Sequence, residues 1–342
     1  MKPGTDLVLR YLMISALAFA LAVLIADTAE GAQPTVPAYD APGAFSVNAS
    51  DETWRDAKRE RDVPVKVYAP ASRDEQATFP VVLFSHGLGG SREAGRLWAA
   101  HWASHGFIVL ALQHAGSDEG LWKDRAAGNI EANLKGGMTF SNLALRVGDV
   151  RFAIDEIGRR AQASESPWKR ADPARIGMSG HSFGAQTTLA VTGQKSPGLS
   201  GQAGLEPRIR AAIALSPNAR NKMNLPRQFG DIRVPFFSVT GTEDGSVLGD
   251  GTTWQDRTLP HEHMPDGGKY LVVYDGADHM VFGGQEIRRR AKTARDAEVQ
   301  RRVQASTLAF WKTHLQDDKA AAGWLLDGFP KMLGAQDQYK TK

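Results

Sequence analysis

The feature that most constrains this sequence is a hexapeptide near its middle, Gly180-His-Ser-Phe-Gly-Ala185. A short apolar stretch at 174–179 precedes it and a helix-favouring segment at 183–192 follows, so we expect a buried strand to turn sharply into a helix. At such a turn the residues two before and two after the central serine lie too close to other backbone to carry side chains. Gly180 and Gly184 occupy those two positions. The pattern therefore predicts a nucleophile elbow with Ser182 at its tip.

A pentapeptide of this kind also occurs by chance, so an acid must follow the serine in the right order. The apolar run at 234–240 predicts a buried strand that ends in a turn at 241–245. Ligand crevices of open α/β sheets lie at the carboxyl ends of strands, and Asp244 is therefore the predicted acid. Glu243 and Asp250 are alternatives, and an Asp-Gly pair can also simply form a turn.

The predicted base comes last in the chain. The apolar segment 269–274 predicts the next strand, and the loop after it contains His279, which Asp244 would orient as a general base. The other histidines have simpler explanations. His181 is expected to pack away from the serine, and the histidines at 261 and 263 fall in a loop rich in Pro and Gly without the spacing of a helical zinc site. The pair His101 and His105 is spaced for one helix face, more often a partly buried surface than a metal site. No metal is predicted.

An oxyanion hole needs two backbone amides. The first is that of Phe183, directly after the serine, and the second is expected from the loop 86–90, which follows a predicted strand at 80–85. Leu88 is the predicted second donor, with Gly87 and Gly89 as alternatives. The loop lacks the glycine spacing of a dinucleotide site and the lysine of a P-loop, so no cofactor is predicted.

Strand and helix patterns alternate along the chain, which predicts an α/β fold with a mostly parallel central sheet and helices on both faces. We expect a signal peptide at 1–32, an extended lead-in at 33–62, one catalytic domain at 63–316 and a tail at 317–342. The long connections at 115–140, 218–232 and 246–268 all follow strands and are expected to surround the site. Apolar residues in and near them, among them Trp122, Met280 and Phe282, are candidates for substrate contact, although each can also be loop core.

The beginning of the chain predicts export. Lys2 and Arg10 precede an uninterrupted apolar run at 11–26, which is short for a membrane span, and small residues near 29–32 are typical of a cleavage site. An uncleaved anchor is the alternative. The sequence contains no cysteine, which excludes a lipid-anchored form, and its net charge of +3 does not indicate a nucleic-acid partner. A periplasmic or secreted protein with at most transient membrane contact is expected, and the sequence does not predict its oligomeric state.

Several blocks together resemble a known family. Phe84-Ser-His-Gly-Leu-Gly89, Ser104-His-Gly-Phe-Ile-Val109, Gln113-His114 and Gly180-His-Ser-Phe-Gly184 are similar to the plasma-type platelet-activating-factor acetylhydrolases. Together with Gly276-Ala-Asp-His-Met-Val-Phe-Gly283 they also resemble bacterial dienelactone-hydrolase-like esterases. The resemblance spans roughly residues 63–284. Ala185 departs from it, since a third glycine is common there, and the turn around Asp244 is closer to the bacterial esterases.

The resemblance implies an α/β-hydrolase fold and cofactor-free hydrolysis of carboxylic esters by Ser182, Asp244 and His279. His114 enters the candidate substrate contacts through the same blocks. The predicted function is an exported serine esterase for short-chain or phospholipid-like acyl esters. The alternatives are a non-catalytic binding protein with this fold, or a peptidase, acyltransferase or polyester hydrolase that uses the same triad.

Overall fold

The computed structural model describes residues 38–123, 130–195, 204–219, 221–247, 249–284 and 292–342. The segment Ala38–Lys342 forms one unit. The predicted signal peptide at 1–32 and the first residues of the lead-in lie outside the described residues.

Nine strands form one sheet in the described part of the chain, in the spatial order β1-β2-β4-β3-β5-β6-β7-β8-β9. The six central strands, from β4 to β8 in that order, are parallel to their neighbours, whereas β1, β2 and β9 pair antiparallel at the two edges. This mostly parallel sheet confirms the predicted fold class. The strands are β1 (Ser46–Asp56), β2 (Arg61–Ala71), β3 (Phe79–Ser85), β4 (Ile108–Leu112), β5 (Ala171–His181), β6 (Ile209–Leu215), β7 (Phe236–Glu243), β8 (Lys269–Asp278) and β9 (Gln338–Thr341).

Helices connect the strands and cover both faces of the sheet, as expected for parallel crossovers. They are α1 (Arg96–Ser104), α2 (Ile130–Gly137), α3 (Phe140–Gln162), α4 (Phe183–Val191), α5 (Leu225–Phe229), α6 (Trp254–His263), α7 (Ala294–Leu315), α8 (Lys319–Gly323) and α9 (Phe329–Met332). A π-helical turn at Trp324–Gly328 joins α8 to α9. Within the residues described, no helix is both long enough and apolar enough to cross a membrane.

The strand β3 shows how the sheet separates two cores. Val82 and Phe84 point to the core that contains α1 and α7, whereas Val81 and Leu83 point to the core beneath α3. Because successive side chains of a strand face opposite sides, an apolar run such as this one is buried on both faces. All seven residues of β3 are buried, so its carboxyl end provides a rigid starting point for the loop at 86–90.

The two edges of the sheet correct the predicted domain bounds. The strand β1 lies inside the predicted lead-in, yet it pairs with β2 along its whole length, and β9 lies in the predicted tail. The bounds 63–316 are therefore too narrow. Most residues of β1 are exposed, so its sequence lacks the apolar alternation that predicts a strand, and β9 is only four residues long.

Candidate active site

The serine of the predicted elbow lies between β5 and α4, where the chain reverses direction. Ser182 has φ +57° and ψ −114°, a conformation that is strained for any residue with a side chain. A Cβ atom on Gly184 would lie 2.6 Å from the carbonyl carbon of Ser85, and one on Gly180 would overlap the carbonyl group of Gly184. Gly184 is thus required by the close approach of the elbow to β3, and Gly180 by the tightness of the turn itself. The Ser182 amide donates to Leu215 O at 2.9 Å, which ties the elbow to β6.

An aspartate and a histidine from the next two strands meet at the same end of the sheet. Asp244 directly follows β7 and His279 directly follows β8, and His279 Nδ1 lies 2.7 Å from Asp244 Oδ1. Thr240 Oγ1 donates to the second carboxylate oxygen at 2.9 Å. Burial alone would raise the pKa of Asp244, but the neighbouring His279 and the cation of Arg257 hold that pKa below its usual value. Asp244 is therefore a carboxylate at neutral pH.

A buried arginine fixes the turn that carries Asp244. The Arg257 Nε atom lies 2.8 Å from Asp244 Oδ1 and donates to Asp244 O at 2.6 Å, while Nη2 donates to Gly245 O at 2.9 Å. Nη1 reaches Ser216 O at 3.1 Å, at the end of β6. Arg257 lies on α6, a helix that begins with a capping box formed by Thr253 and Asp256. The sequence prediction of a loop at 261–263 is wrong, because those residues end this helix.

His181 contacts His279, the residue predicted as the base. Its Nε2 lies 2.9 Å from the carbonyl oxygen of His279, and the two imidazole rings lie 4.6 Å apart. Burial, together with the neighbouring His279, lowers the pKa of His181 to about 3, so it stays neutral and donates from Nε2. The predicted packing role of His181 is thus a specific one, since it holds the backbone of His279.

The loop at 86–90 lies against the elbow, as predicted for an oxyanion loop. A Cβ atom on Gly87 would be 3.4 Å from Ser182 Cβ. The Gly89 amide already donates to Ser117 O at 2.9 Å, which leaves Leu88 and Gly87 as the candidate donors of this loop. Gly89 has φ +71°, and its carbonyl accepts a hydrogen bond of 2.6 Å from the indole of Trp122. The segment 114–122 thus fixes the loop from its outer side.

A second serine, histidine and aspartate lie beneath this loop. Ser85 Oγ is 2.8 Å from His114 Nε2, and His114 Nδ1 is 2.9 Å from Asp149 Oδ2. All three side chains are completely buried, and Arg61 also binds Asp149, at 2.8 and 3.0 Å. The prediction that His114 contacts substrate is wrong, because its ring is enclosed by these partners.

A buried cation connects this network to the elbow. The Arg146 guanidinium donates to His86 O at 2.7 Å and to Ser117 Oγ at 2.8 Å, and it lies 4.3 Å from the centre of the Phe183 ring. Burial lowers the pKa of Arg146, and the nearby Asp149 acts in the opposite direction. The buried positions of Arg146 and Arg257 were not predicted, because an arginine in a helical segment is usually exposed to solvent.

Two hollows adjoin Ser182. The larger has a volume of about 860 Å³ and the smaller about 40 Å³, and both are lined by Met138, Ser182, Val247 and His279. Apolar side chains dominate the larger hollow, with charged side chains at several positions. The apolar ones are Leu88, Ala94, Trp122, Ile130, Leu134, Met138, Val247 and Met280. The smaller hollow is also lined by Phe183, Gln186, Ser216, Asn218, Ser246, Asp250, Thr252 and Arg257.

The remaining residues predicted to contact substrate differ in whether they line one of these hollows. Trp122 and Met280 line the larger hollow, as does Leu88. Phe282 does not line either of them, because its side chain is fully buried and packs near the Tyr274 ring, so its predicted substrate contact is wrong. Asp250, the alternative acid, lines the smaller hollow, whereas the carboxylate bonded to His279 is that of Asp244.

The two histidines on α1 have structural partners. His101 Nε2 lies 2.9 Å from Tyr39 O, and His105 Nε2 lies 2.9 Å from Ala41 O, so the pair on α1 holds the start of the described chain. Within the described ranges, no group of three or more His, Cys, Asp or Glu side chains is placed to hold a metal ion.

A mostly parallel sheet with a strained serine after β5, a carboxylate after β7 and a histidine after β8 defines an α/β-hydrolase. A family model described as platelet-activating factor acetylhydrolase, isoform II, matches residues 54–124. The cutinase est2 of Thermobifida alba is 24% identical over 207 residues, which cover 60% of this chain and 55% of that protein. The platelet-activating factor acetylhydrolase of Canis lupus familiaris is 27% identical over 169 residues, 40% of this chain and 34% of that protein. That of Cavia porcellus is 25% identical over 182 residues, 45% of this chain and 38% of that protein.

The matched segments thus span between 34% and 55% of the relatives' own length. The fold confirms the predicted α/β-hydrolase class, and the matches to platelet-activating factor acetylhydrolases agree with the resemblance seen in the sequence blocks. The relatives are named as an acetylhydrolase and a cutinase.

Proposed function

We propose that this protein is an exported serine esterase in which Ser182 is the nucleophile, His279 the general base and Asp244 the acid that orients it. The observation that carries the proposal is the buried pair of His279 and Asp244, 2.7 Å apart, beside a hollow that the strained Ser182 also lines. A histidine that donates from Nδ1 to a carboxylate keeps Nε2 free to accept a proton.

In the proposed mechanism His279 takes the hydroxyl proton of Ser182 as the oxygen attacks the ester carbonyl carbon. The negative charge that develops on the carbonyl oxygen is stabilised by the amides of Phe183 and Leu88. His279 then returns the proton to the alcohol as the carbon–oxygen bond breaks. Water repeats the sequence on the acyl-enzyme and releases the acid.

The volumes of the two hollows favour a substrate with a short acyl group and a larger alcohol. A volume of about 40 Å³ has room for only a few water-sized groups, whereas about 860 Å³ falls in the range that drug-sized ligands occupy. We assign the acyl group to the smaller hollow because the larger one, once the alcohol has left, admits water to the acyl-enzyme beside His279. Short-chain acyl esters, with a phospholipid-like alcohol as one candidate, are therefore the proposed substrates.

Similarity to a relative named cutinase makes a polyester the second candidate substrate. Release of soluble acid from a polyester film, compared with release from a soluble short-chain ester, distinguishes the two. Activity confined to the soluble ester would reject the second candidate.

The experiment that tests the activity is hydrolysis of p-nitrophenyl esters, from acetyl to long acyl chains, by the purified protein and its Ser182→Ala variant. We expect the highest kcat/KM with the shortest acyl groups and a loss of nearly all activity in the variant. A fluorophosphonate probe should label the unaltered protein and not the variant. Absence of both hydrolysis and labelling in the unaltered protein would reject the proposed function.

Export is proposed from the predicted signal peptide. When the full-length gene is expressed in a Gram-negative host, mass spectrometry of the periplasmic protein should show a mature chain that starts near residue 33. Recovery of the whole chain in the membrane fraction would instead support the uncleaved anchor.

A further inference from the structure

The protonation of His86 follows from two of its contacts. The backbone amide of His114 lies 3.0 Å from His86 Nε2, and because an amide can only donate, Nε2 must be unprotonated. His86 Nδ1 lies 2.6 Å from the carbonyl oxygen of Gly87, which can only accept. A neutral imidazole with its proton on Nδ1 satisfies both contacts, and an imidazolium satisfies only the second.

This tautomer acts on one particular peptide group. The carbonyl oxygen of Gly87 belongs to the same peptide as the amide of Leu88, and it also accepts a hydrogen bond of 3.1 Å from the Gly90 amide. Hydrogen bonds polarise one another in chains, so a bond to the carbonyl strengthens the donor at the other end of its peptide. The Leu88 amide is the donor that the proposed mechanism uses.

We propose that His86 is a positioning residue for ester hydrolysis, since its Nδ1–H bond orients and polarises the Gly87–Leu88 peptide as the second donor of the oxyanion hole. This inference rests on the proposed function. His86 is itself fully buried, so it acts through the loop and not on the substrate directly.

Arg146 keeps this arrangement in place. Its Nη1 donates to His86 O, and its guanidinium packs on the ring of Phe183, whose amide is the other proposed donor. Arg146 thereby contacts Phe183, one proposed oxyanion donor, and the loop that carries Leu88, the other. Nη2 of Arg146 lies 3.3 Å from His86 Nδ1. Because the guanidinium is positively charged, this contact disfavours a second proton, and with it a positive charge, on the His86 ring. Burial, together with the charge of Arg146, lowers the pKa of His86 well below its usual value.

Two variants of similar size separate donation from packing. An asparagine amide can take the place of Nδ1–H, so His86→Asn should keep kcat within about threefold, whereas His86→Gln places its amide near Nε2 and lacks the bond to Gly87 O. We expect His86→Gln to lower kcat about five- to tenfold with KM unchanged, less than the hundredfold or more caused by loss of a whole oxyanion donor. His101→Gln, a buried histidine on α1 with a backbone partner, is the matched control and should leave kcat unchanged.

Failure of the His86 inference can be distinguished from failure of the proposed esterase function. If the unaltered protein hydrolyses short esters and both His86 variants, folded by thermal melting, have equal kcat, the inference is overturned. If the unaltered protein neither turns over esters nor reacts with the fluorophosphonate, the proposed function itself fails. As a second measurement, ¹⁵N spectra of the histidine-labelled protein should contain a neutral Nδ1–H signal that disappears in either variant. A signal with the proton on Nε2 at that position would also overturn the inference.

Discussion

The serine, histidine and aspartate at the elbow have a counterpart beneath the oxyanion loop. The histidine–aspartate distances are nearly the same, 2.7 Å between His279 and Asp244 and 2.9 Å between His114 and Asp149. In the buried set the third member is also in place, since Ser85 Oγ lies 2.8 Å from His114 Nε2. By hydrogen bonding alone, the buried set would be as good a candidate as the other.

The two sets differ in access and in backbone. Ser85 is the last residue of an ordinary strand and its side chain is completely enclosed, whereas Ser182 has a left-handed φ and lines both hollows. An electrophile can therefore reach only the second serine. Residue types and distances are therefore insufficient to identify a nucleophile, and the strained turn beside a cavity is the decisive feature.

The two serines provide the largest test of this comparison. Ser182→Ala should reduce kcat on the order of 10³-fold or more, because the proposed acyl-enzyme forms on this hydroxyl. Ser85→Ala should change kcat less than about tenfold, since it removes only a buried hydroxyl at the base of the oxyanion loop. Steady-state hydrolysis of p-nitrophenyl acetate measures both. A larger loss from Ser85→Ala than from Ser182→Ala would reverse our assignment.

The two histidines should separate catalysis from stability. His279→Ala is expected to lower kcat about 10³-fold, because the base is lost. His114→Gln should leave most of the activity but lower the free energy of unfolding by about 1–3 kcal/mol, because the bonds to Asp149 and Ser85 are impaired inside the protein. Urea unfolding and ester hydrolysis of the same preparations test this. Equal activity losses for the two variants would contradict the comparison.

The acid assignment predicts a somewhat smaller effect. Asp244→Asn should lower kcat about 10²-fold or more, because His279 loses the charge that orients it. Asp250→Asn, at the rival carboxylate in the smaller hollow, should remain within about tenfold of the unaltered protein because the carboxylate bonded to His279 Nδ1 is that of Asp244. Parallel kcat measurements decide the matter. An inactive Asp250→Asn together with an active Asp244→Asn would assign the acid to Asp250.

The smallest expected effect is on the pH dependence of stability, and it arises from His261, which belongs to neither set. Among the described residues neither ring nitrogen of His261 has a hydrogen-bond partner, and burial, followed by the charges of Lys342, Lys340 and Lys269, lowers its pKa to about 4. Between pH 6.5 and about 4 the unfolded chain therefore binds a proton that the folded protein does not, so stability falls as pH falls through this window.

His261→Leu removes that proton uptake. We expect the variant to lose less stability than the unaltered protein between pH 7 and pH 4, by an amount on the order of 2–3 kcal/mol. At pH 7 its stability should be equal or higher, because a buried polar group without partners is replaced by an apolar one. Chemical unfolding at several pH values tests both expectations, and identical pH profiles for the two proteins would contradict them.

Local patterns predicted the central part of the fold and the position of the site. The apolar strands, the elbow glycines and the turns at 241–245 and 275–284 are signals within a few residues of sequence, and the structure brings Ser182, Asp244 and His279 to one end of the sheet. The edge strand β1 escaped prediction because most of its side chains are exposed. The start of α6 was readable from Thr253 and Asp256, a capping box whose signal the surrounding Pro and Gly residues obscured.

The buried polar network could not be predicted, because its partners are distant in sequence. Arg146 contacts His86 across 60 positions, and Arg61 contacts Asp149 across 88. Neither arginine has a local signal that distinguishes it from a solvated one. His114 shows the opposite error, since its place after β4 suggested the cavity, whereas its ring turns beneath the loop to meet Ser85.

The contact between Gly184 and β3 has a consequence for attempts to change the substrate range. A side chain at Gly184 would meet the carbonyl of Ser85, and one at Gly180 would meet the carbonyl of Gly184, so either substitution would distort the turn that carries Ser182. Randomised libraries should therefore leave these positions constant and vary the outer wall of the larger hollow, such as Leu134 and Met138. Substitutions there can change substrate selectivity while the geometry of the elbow stays the same.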